Sequence, residues 1–258
     1  MSDSITAKVF KFDPVVDSEP HYETYEVPWL TDEEDPTNKM TGMQVLQYIN
    51  DEIEPISYDC GCIYGLCGRC SMTIDGEPGL ACWTTFDRGT SHTFEPLNGL
   101  PIVKDLVVER EEMAKRFVLA DARNKTVDPV TEIKDIDYDL YWNVLERMNL
   151  CRECLCCYAN CNALQLGNAW DTYLGPGGMM QIAQRYYDPH DQANRVEQAA
   201  FSGVFDCVQC GNCTTVCPAA IPIAETIAML QQEAEKAGLK PADTSAVSNR
   251  IMESMQNA

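Results

Sequence analysis

Residues 207–218 read CVQCGNCTTVCP, with Cys207, Cys210, Cys213 and Cys217 separated by two, two and three residues and followed by Pro218. The same intervals stand upstream in CRECLCCYANC, residues 151–161, at Cys151, Cys154, Cys157 and Cys161. A doubled run of this form holds two [4Fe-4S] clusters, and the fourth cysteine of each run ligates the cluster of the other. The spacing therefore predicts one site from Cys151, Cys154, Cys157 and Cys217 and another from Cys161, Cys207, Cys210 and Cys213. Two zinc ions or idle thiols are the competing uses, and neither accounts for eight cysteines in a crossed double run.

A third group lies nearer the start. Cys62, Cys67, Cys70 and Cys82 have four, two and eleven residues between them, the arrangement of a plant-type [2Fe-2S] site. Three thiolates must converge from one tight loop, and GCIYGLCGRC supplies Gly61, Gly65 and Gly68 where the backbone has to come close. The fourth ligand follows Asp75-Gly76, a hairpin-turn dipeptide. Structural zinc favours pairs of closely spaced ligands, unlike a three-thiol loop with one distant partner. Cys60 and Cys156 fall outside all three groups and are expected to be packing residues or outer-shell thiols.

Composition agrees with this use of sulfur. The chain has 258 residues and 14 cysteines, enough length for two modest domains. No basic flank leads into an apolar stretch at the start, and no run of eighteen apolar residues occurs, so a cytoplasmic setting without disulfides is expected. Nineteen basic residues against forty acidic ones give a net charge of −21, which repels nucleic acid and anionic lipid.

AKVFKF, residues 7–12, alternates apolar and polar with a slip at Val9 and Phe10 that predicts a bulge, and HYETYEV, residues 21–27, alternates again. TGMQVLQYINDEI, residues 41–53, predicts a helix with Leu46, Ile49 and Ile53 on one face and a capping box of Thr41 and Gln44. Beyond about residue 105 helices are expected over VKDLVVEREEMAKRF, DYDLYWNVLERM, GGMMQIAQRYY and IPIAETIAMLQQEAEKAG. The last carries Ile223, Ile227 and Leu230 on one face and ends at Gly238. TDEEDP, residues 31–36, reads as a solvated loop, and the tail from Pro241 reads as polar and loosely held. His21, His92 and His190 are expected at the surface. GPGG, residues 175–178, is a turn into a helix, and no nucleotide fingerprint or catalytic triad is visible, so no catalytic residue is assigned.

One plant-type site followed by a crossed double run resembles the iron-sulfur subunit of the succinate dehydrogenase and fumarate reductase family. KVFKFDPVVDSEPHYETYEV, LPIVKDLVVER and YLGPGGMMQIAQRYYDPHD are similar to its opening strands, interdomain segment and post-cluster helix. The resemblance implies an α+β chain: a plant-type ferredoxin (β-grasp) domain over 1–105, a helical linker over 106–136, an all-helical bacterial-ferredoxin-like domain over 137–240 and a tail over 241–258. It implies a non-catalytic electron-transfer subunit that relays electrons between a flavoprotein, which alone holds FAD, and a membrane-anchor or cysteine-rich subunit, with quinone reached through the complex. Membrane association would come through those partners. An iron-sulfur subunit of a different flavin-dependent reductase is the alternative.

The sequence departs from the usual family pattern at two places. Usual members replace the second cysteine of the last run and hold a [3Fe-4S] cluster there, the alternative for the third site; here Cys210 fills the position. They also place a tryptophan and a histidine near a quinone, where this chain has NALQL, residues 162–166, and Val208. Trp170 lies further on at a different spacing, so the role is not carried to it.

Overall fold

In this computed structural model residues 4–31, 39–125, 139, 141–241 and 245–257 are described. Apart from Thr31, the TDEEDP run lies outside them, as do the first two residues of DYDLYWNVLERM and its Leu140. The chain divides into two compact units: Met1–Arg110 with Arg152–Ala159, and Glu111–Cys151 with Asn160–Ala258. No described helix is long and apolar enough to cross a membrane.

In the first unit, β1 (Ser4–Lys11) pairs antiparallel with β2 (His21–Pro28) and parallel with β7 (Ser91–Glu95). β4 (Ser71–Ile74) and β5 (Glu77–Leu80) complete a five-stranded mixed sheet in the order β2-β1-β7-β4-β5. Two short strands, β3 (Met40–Thr41) and β6 (Thr85–Phe86), pair apart from it. The alternation of β1 buries Ile5, Ala7 and Val9, as a strand with one face on a core must. No bulge follows Val9: the β1–β2 register runs without interruption from Ser4↔Pro28 to Lys11↔His21. Phe10 is buried on the other face because Tyr22 meets its ring edge-on at 5.7 Å.

Helix α1 (Gly42–Tyr48) starts with the expected capping box, Gln44 N donating to Thr41 Oγ1 at 3.2 Å and Thr41 N to Gln44 Oε1 at 2.8 Å. Met43, Val45, Leu46 and Ile49 enter one core with Ile5, Val9, Met72, Leu80 and Phe94. Ile53 does not, being exposed, because Ile49–Ile53 winds as a π-helix. The wider turn advances the chain by less angle per residue and carries Ile53 off the buried face. Asp75 and Gly76, both at positive φ, form the expected two-residue turn between β4 and β5.

The segment Ile102–Val108 is not the start of a helix. β8 (Ile102–Lys104) and β9 (Val107–Val108) form a hairpin about Asp105, which has φ 44°. Its buried carboxylate accepts the N–H groups of Phe12 at 3.0 Å and Ser57 at 2.9 Å, distant contacts that override local periodicity. The helix begins only at α2 (Glu111–Leu119).

The second unit is helical. After a π-helical turn at Tyr141–Leu145, its principal helices are α5 (Pro176–Tyr187), α6 (Arg195–Phe201) and α8 (Ile223–Lys236), following one-turn helices α3 (Cys156–Ala159, of the first unit) and α4 (Asn162–Gln165). Another one-turn helix, α7 (Asn212–Thr215), precedes α8. Met179, Ile182, Ala199, Ile227 and Leu230 are buried among them. Arg195 and Asp191 form an ion pair at 2.7 Å with both side chains 1% exposed. The guanidinium also donates to Asp121 O at 2.8 Å and Arg123 O at 2.6 Å, so its donors are met. The tail is not loose throughout: α9 (Ser245–Gln256) buries Val247 and Ile251, and Arg250 donates to Gly167 O. Gly167 admits Val247, whose Cγ1 would lie 2.7 Å from a Cβ there.

Candidate metal centres

In the first unit Cys62, Cys67, Cys70 and Cys82 come together as two pairs. Cys62 N donates to Cys67 Sγ at 3.4 Å and Cys67 N to Cys62 Sγ at 3.3 Å, while Cys70 Sγ and Cys82 Sγ lie 3.3 Å apart. The backbone of the loop points its donors inward: Tyr64 N and Leu66 N reach Cys62 Sγ at 3.4 and 3.2 Å, and Gly65 N reaches Cys82 Sγ at 3.2 Å. These donors hold the Cys62 thiol down at about 7, whereas burial pushes Cys70 up to about 12. Gly65 has φ 68°, and a Cβ on it would sit 2.6 Å from the Trp83 ring, so this turn needs glycine. Cys60 is exposed and outside the pairs, with its thiol pushed up by burial and by neighbouring sulfurs.

In the second unit the charges of Cys207 and Cys210 act on Cys161, and those of Cys207, Cys161 and Cys210 act on Cys213. Burial pushes Cys161 and Cys213 up to about 12 and raises Cys207. Cys210 is the exposed member, on a turn made by Gln209 and Gly211 at positive φ. Gln209 Nε2 approaches Cys207 Sγ at 3.5 Å, and Gln231 of α8 fixes the turn by donating to Val204 O at 2.8 Å and Cys207 O at 3.0 Å.

Cys154 and Cys157 belong to the first unit, Cys151 and Cys217 to the second. The Cys154 thiol is held down at about 7 by a hydrogen bond from the Cys156 side chain, by the Cys156 N–H and by the charge of Arg110. Cys156 is fully buried, a position that suits a packing residue as well as an outer-shell thiol.

The donor sets fit iron-sulfur clusters. Clustered, buried thiols resist becoming thiolates side by side, and bound metal offsets that cost by supplying positive charge. Among the described residues no three His, Cys, Asp or Glu groups converge on the position of a single ion. The first loop instead offers two thiols to each of two positions.

His92 is not a surface histidine. Its ring stacks on Phe86 at 3.7 Å and its Nδ1 lies 2.7 Å from Asp75 Oδ2. His21 and His190 pair with Glu23 and Asp188 at 3.6 and 3.3 Å. One face of Trp170 is taken by the Arg116 guanidinium, 5.1 Å from the ring centroid. Sequence reasoning passed over Asp59, Arg69 and Arg110, whose grouping depends on contacts made by Arg110 with residues far back in the chain.

Residues 6–115 match the model of a 2Fe-2S iron-sulfur cluster binding domain, and residues 147–221 match that of a 4Fe-4S dicluster domain. The chain is 30% identical over 247 residues to one subunit of the CoM/CoB fumarate reductase of Methanothermobacter marburgensis, covering 93% of this chain and 46% of that protein. It thus spans less than half the length of that archaeal relative. It is 31% identical to the fumarate reductase iron-sulfur subunit of Wolinella succinogenes, covering 90% of this chain and 98% of that one. Against a chain of the Mycobacterium smegmatis Sdh1 complex in the apo form, the TM-score is 0.77 at 23% identity, covering 94% of this chain and 100% of that one, a likeness of fold. With near-complete coverage of the Wolinella subunit, the chain belongs to the fumarate reductase and succinate dehydrogenase iron-sulfur subunit family.

Proposed function

We propose that this chain is the electron relay of a fumarate reductase or succinate dehydrogenase-like complex, with no substrate chemistry of its own. The observation that supports the reading is the pairing of Cys62 with Cys67 and of Cys70 with Cys82 about one loop. Cys62, Cys67, Cys70 and Cys82 would hold a [2Fe-2S] cluster in a β-grasp domain. Cys161, Cys207, Cys210 and Cys213 would hold a [4Fe-4S] cluster, and Cys151, Cys154, Cys157 and Cys217 another. Such clusters, when bound, accept and release single electrons. The chain's part is to hold them, to aim backbone N–H groups at their sulfurs, and to present one end to a flavoprotein.

Ile63, Tyr64, Leu66 and Trp83 are exposed around the first thiol loop, and a flavoprotein that carries FAD is the partner assigned to that surface. A membrane-anchor or cysteine-rich subunit is assigned to the helical domain, and it would supply both membrane attachment and any quinone pocket. Electron flow toward fumarate is favoured, because a third site completed by Cys210 would sit at lower potential than a [3Fe-4S] cluster.

Electron paramagnetic resonance tests the assignment. Anaerobically prepared, oxidised protein should be silent at the third site, and Cys210→Ile should bring up the signal of an oxidised [3Fe-4S] cluster. A stoichiometric oxidised signal in the wild type, or silence in the variant, would overturn it.

A further inference from the structure

Two glutamines stand against the thiols of the second unit, and the electron relay assigns neither a part. Gln231 lies on α8, and its Nε2 directs both of its protons to backbone carbonyls, Val204 O at 2.8 Å and Cys207 O at 3.0 Å. Gln209 lies between Cys207 and Cys210 in the chain. Its Nε2 donates to Gln231 Oε1 at 3.0 Å and to Cys207 Sγ at 3.5 Å. The four amide protons of the pair thus go to four different acceptors.

The direction of the bond to sulfur follows from the other three. A backbone carbonyl only accepts, so Gln231 has to turn its NH2 toward Val204 and Cys207, which leaves its own oxygen facing Gln209. An amide oxygen also only accepts, so Gln209 in turn has to present its NH2. The sulfur of Cys207 therefore meets an N–H. Flipping either amide would set oxygen against oxygen at hydrogen-bond distance and lose the bonds that oppose it. The backbone of the turn is a costly one for a residue with a side chain: Gln209 stands at φ 55°, in the left-handed region. A glycine there would relieve the backbone but carry no amide.

We propose that Gln209, oriented by Gln231, donates a hydrogen bond to the Cys207 sulfur that raises the reduction potential of the cluster held there. This rests on the reading of Cys207 as a [4Fe-4S] ligand. Reduction adds one negative charge to a cluster and its ligand sulfurs, so a donor aimed at one of those sulfurs stabilises the reduced state more than the oxidised one. Gln209 acts through the sulfur and Gln231 acts through Gln209, and both are positioning residues. Gln209 is exposed, so water screens the bond and keeps its effect modest.

The experiment is a potentiometric titration of the full-length, cluster-loaded chain followed by electron paramagnetic resonance. The [4Fe-4S] signal lost in Cys207→Ser identifies the couple to follow. Gln209→Met, which keeps the length of the side chain and removes the N–H, should move its midpoint to lower potential, by about 28 mV if the ratio of reduced to oxidised cluster at fixed potential falls about threefold. Gln231→Met should move it the same way, although Gln231 itself makes no bond to the sulfur. The double variant should shift no further than Gln209→Met alone, since both changes break one bond. An unmoved or raised midpoint in either single variant, or shifts that add in the double, overturns the proposal with the ligand reading intact. Should Gln209→Met fail to hold the cluster, Gln209→Gly decides, because it removes the amide and suits the turn; its midpoint should fall as well, and an unmoved one overturns the proposal. Retention of every [4Fe-4S] signal in Cys207→Ser would overturn the ligand reading, and the proposal with it.

Discussion

Asp191 and Arg195 show how one pair of side chains can hold a helical unit. Burial opposes ionisation of Asp191, but hydrogen bonds from Arg195 and from the Ala193 and Lys125 N–H groups outweigh it, and its pKa falls below the ordinary carboxylate value. A depressed folded-state value means that the stabilisation is fully present above the unfolded pKa near 3.9 and is lost as pH falls through the folded one. Asp191→Ala should therefore destabilise the protein at neutral pH by roughly 3–5 kcal/mol, since it strands a buried guanidinium. Chemical denaturation at pH 7 checks the magnitude. The gap between variant and wild type should narrow below about pH 4, where the unfolded wild-type carboxylate takes up a proton before the folded one does; a gap independent of pH would contradict this account.

At the scale of elements, α1 depends on its first residues because it is short and runs into a π-helical turn. Seven residues give few internal hydrogen bonds, so the reciprocal cap of Thr41 and Gln44 weighs heavily. Thr41→Ala should cost about 1 kcal/mol, read as a lower midpoint of unfolding. Thr41→Ser, which keeps the hydroxyl, should recover most of it. The helix buries Val45, Leu46 and Ile49 against the sheet core. Loosening it should also show as faster amide exchange in β3, whose last residue is the cap itself.

For the whole chain, the crossed assignment makes a distinctive demand. If Cys217 serves the cluster of the 151–157 run, Cys217→Ser should diminish that cluster despite lying sixty residues beyond Cys157 in sequence. The cluster of Cys161, Cys207, Cys210 and Cys213 should be retained. Iron content together with the paramagnetic signals of the reduced protein distinguishes the two, and loss confined to the second cluster would contradict the crossing. Purified without a flavoprotein, the chain should be red-brown and inactive toward fumarate, as measured with a reduced dye.

The sequence by itself determined what its local rules control. The intervals of Cys62, Cys67 and Cys70 force three sulfurs into one loop, Asp75-Gly76 makes a two-residue turn, and Thr41 with Gln44 closes a cap, because each needs only neighbours within a few residues. The complete run from Cys207 to Cys217 is legible for the same reason. Where distant contacts compete, the pattern misled. Val103–Val108 has a periodicity too short to separate strand from helix, and the Asp105 carboxylate decided for a hairpin by binding Phe12 and Ser57. Ile53 left the core through one widened turn, and the polar tail gained a helix because Val247 found room over Gly167. Tertiary structure alone gathered Asp59, Arg69 and Arg110. Charges far apart in sequence acquire a joint effect only when folding brings them together and removes the water that would screen them.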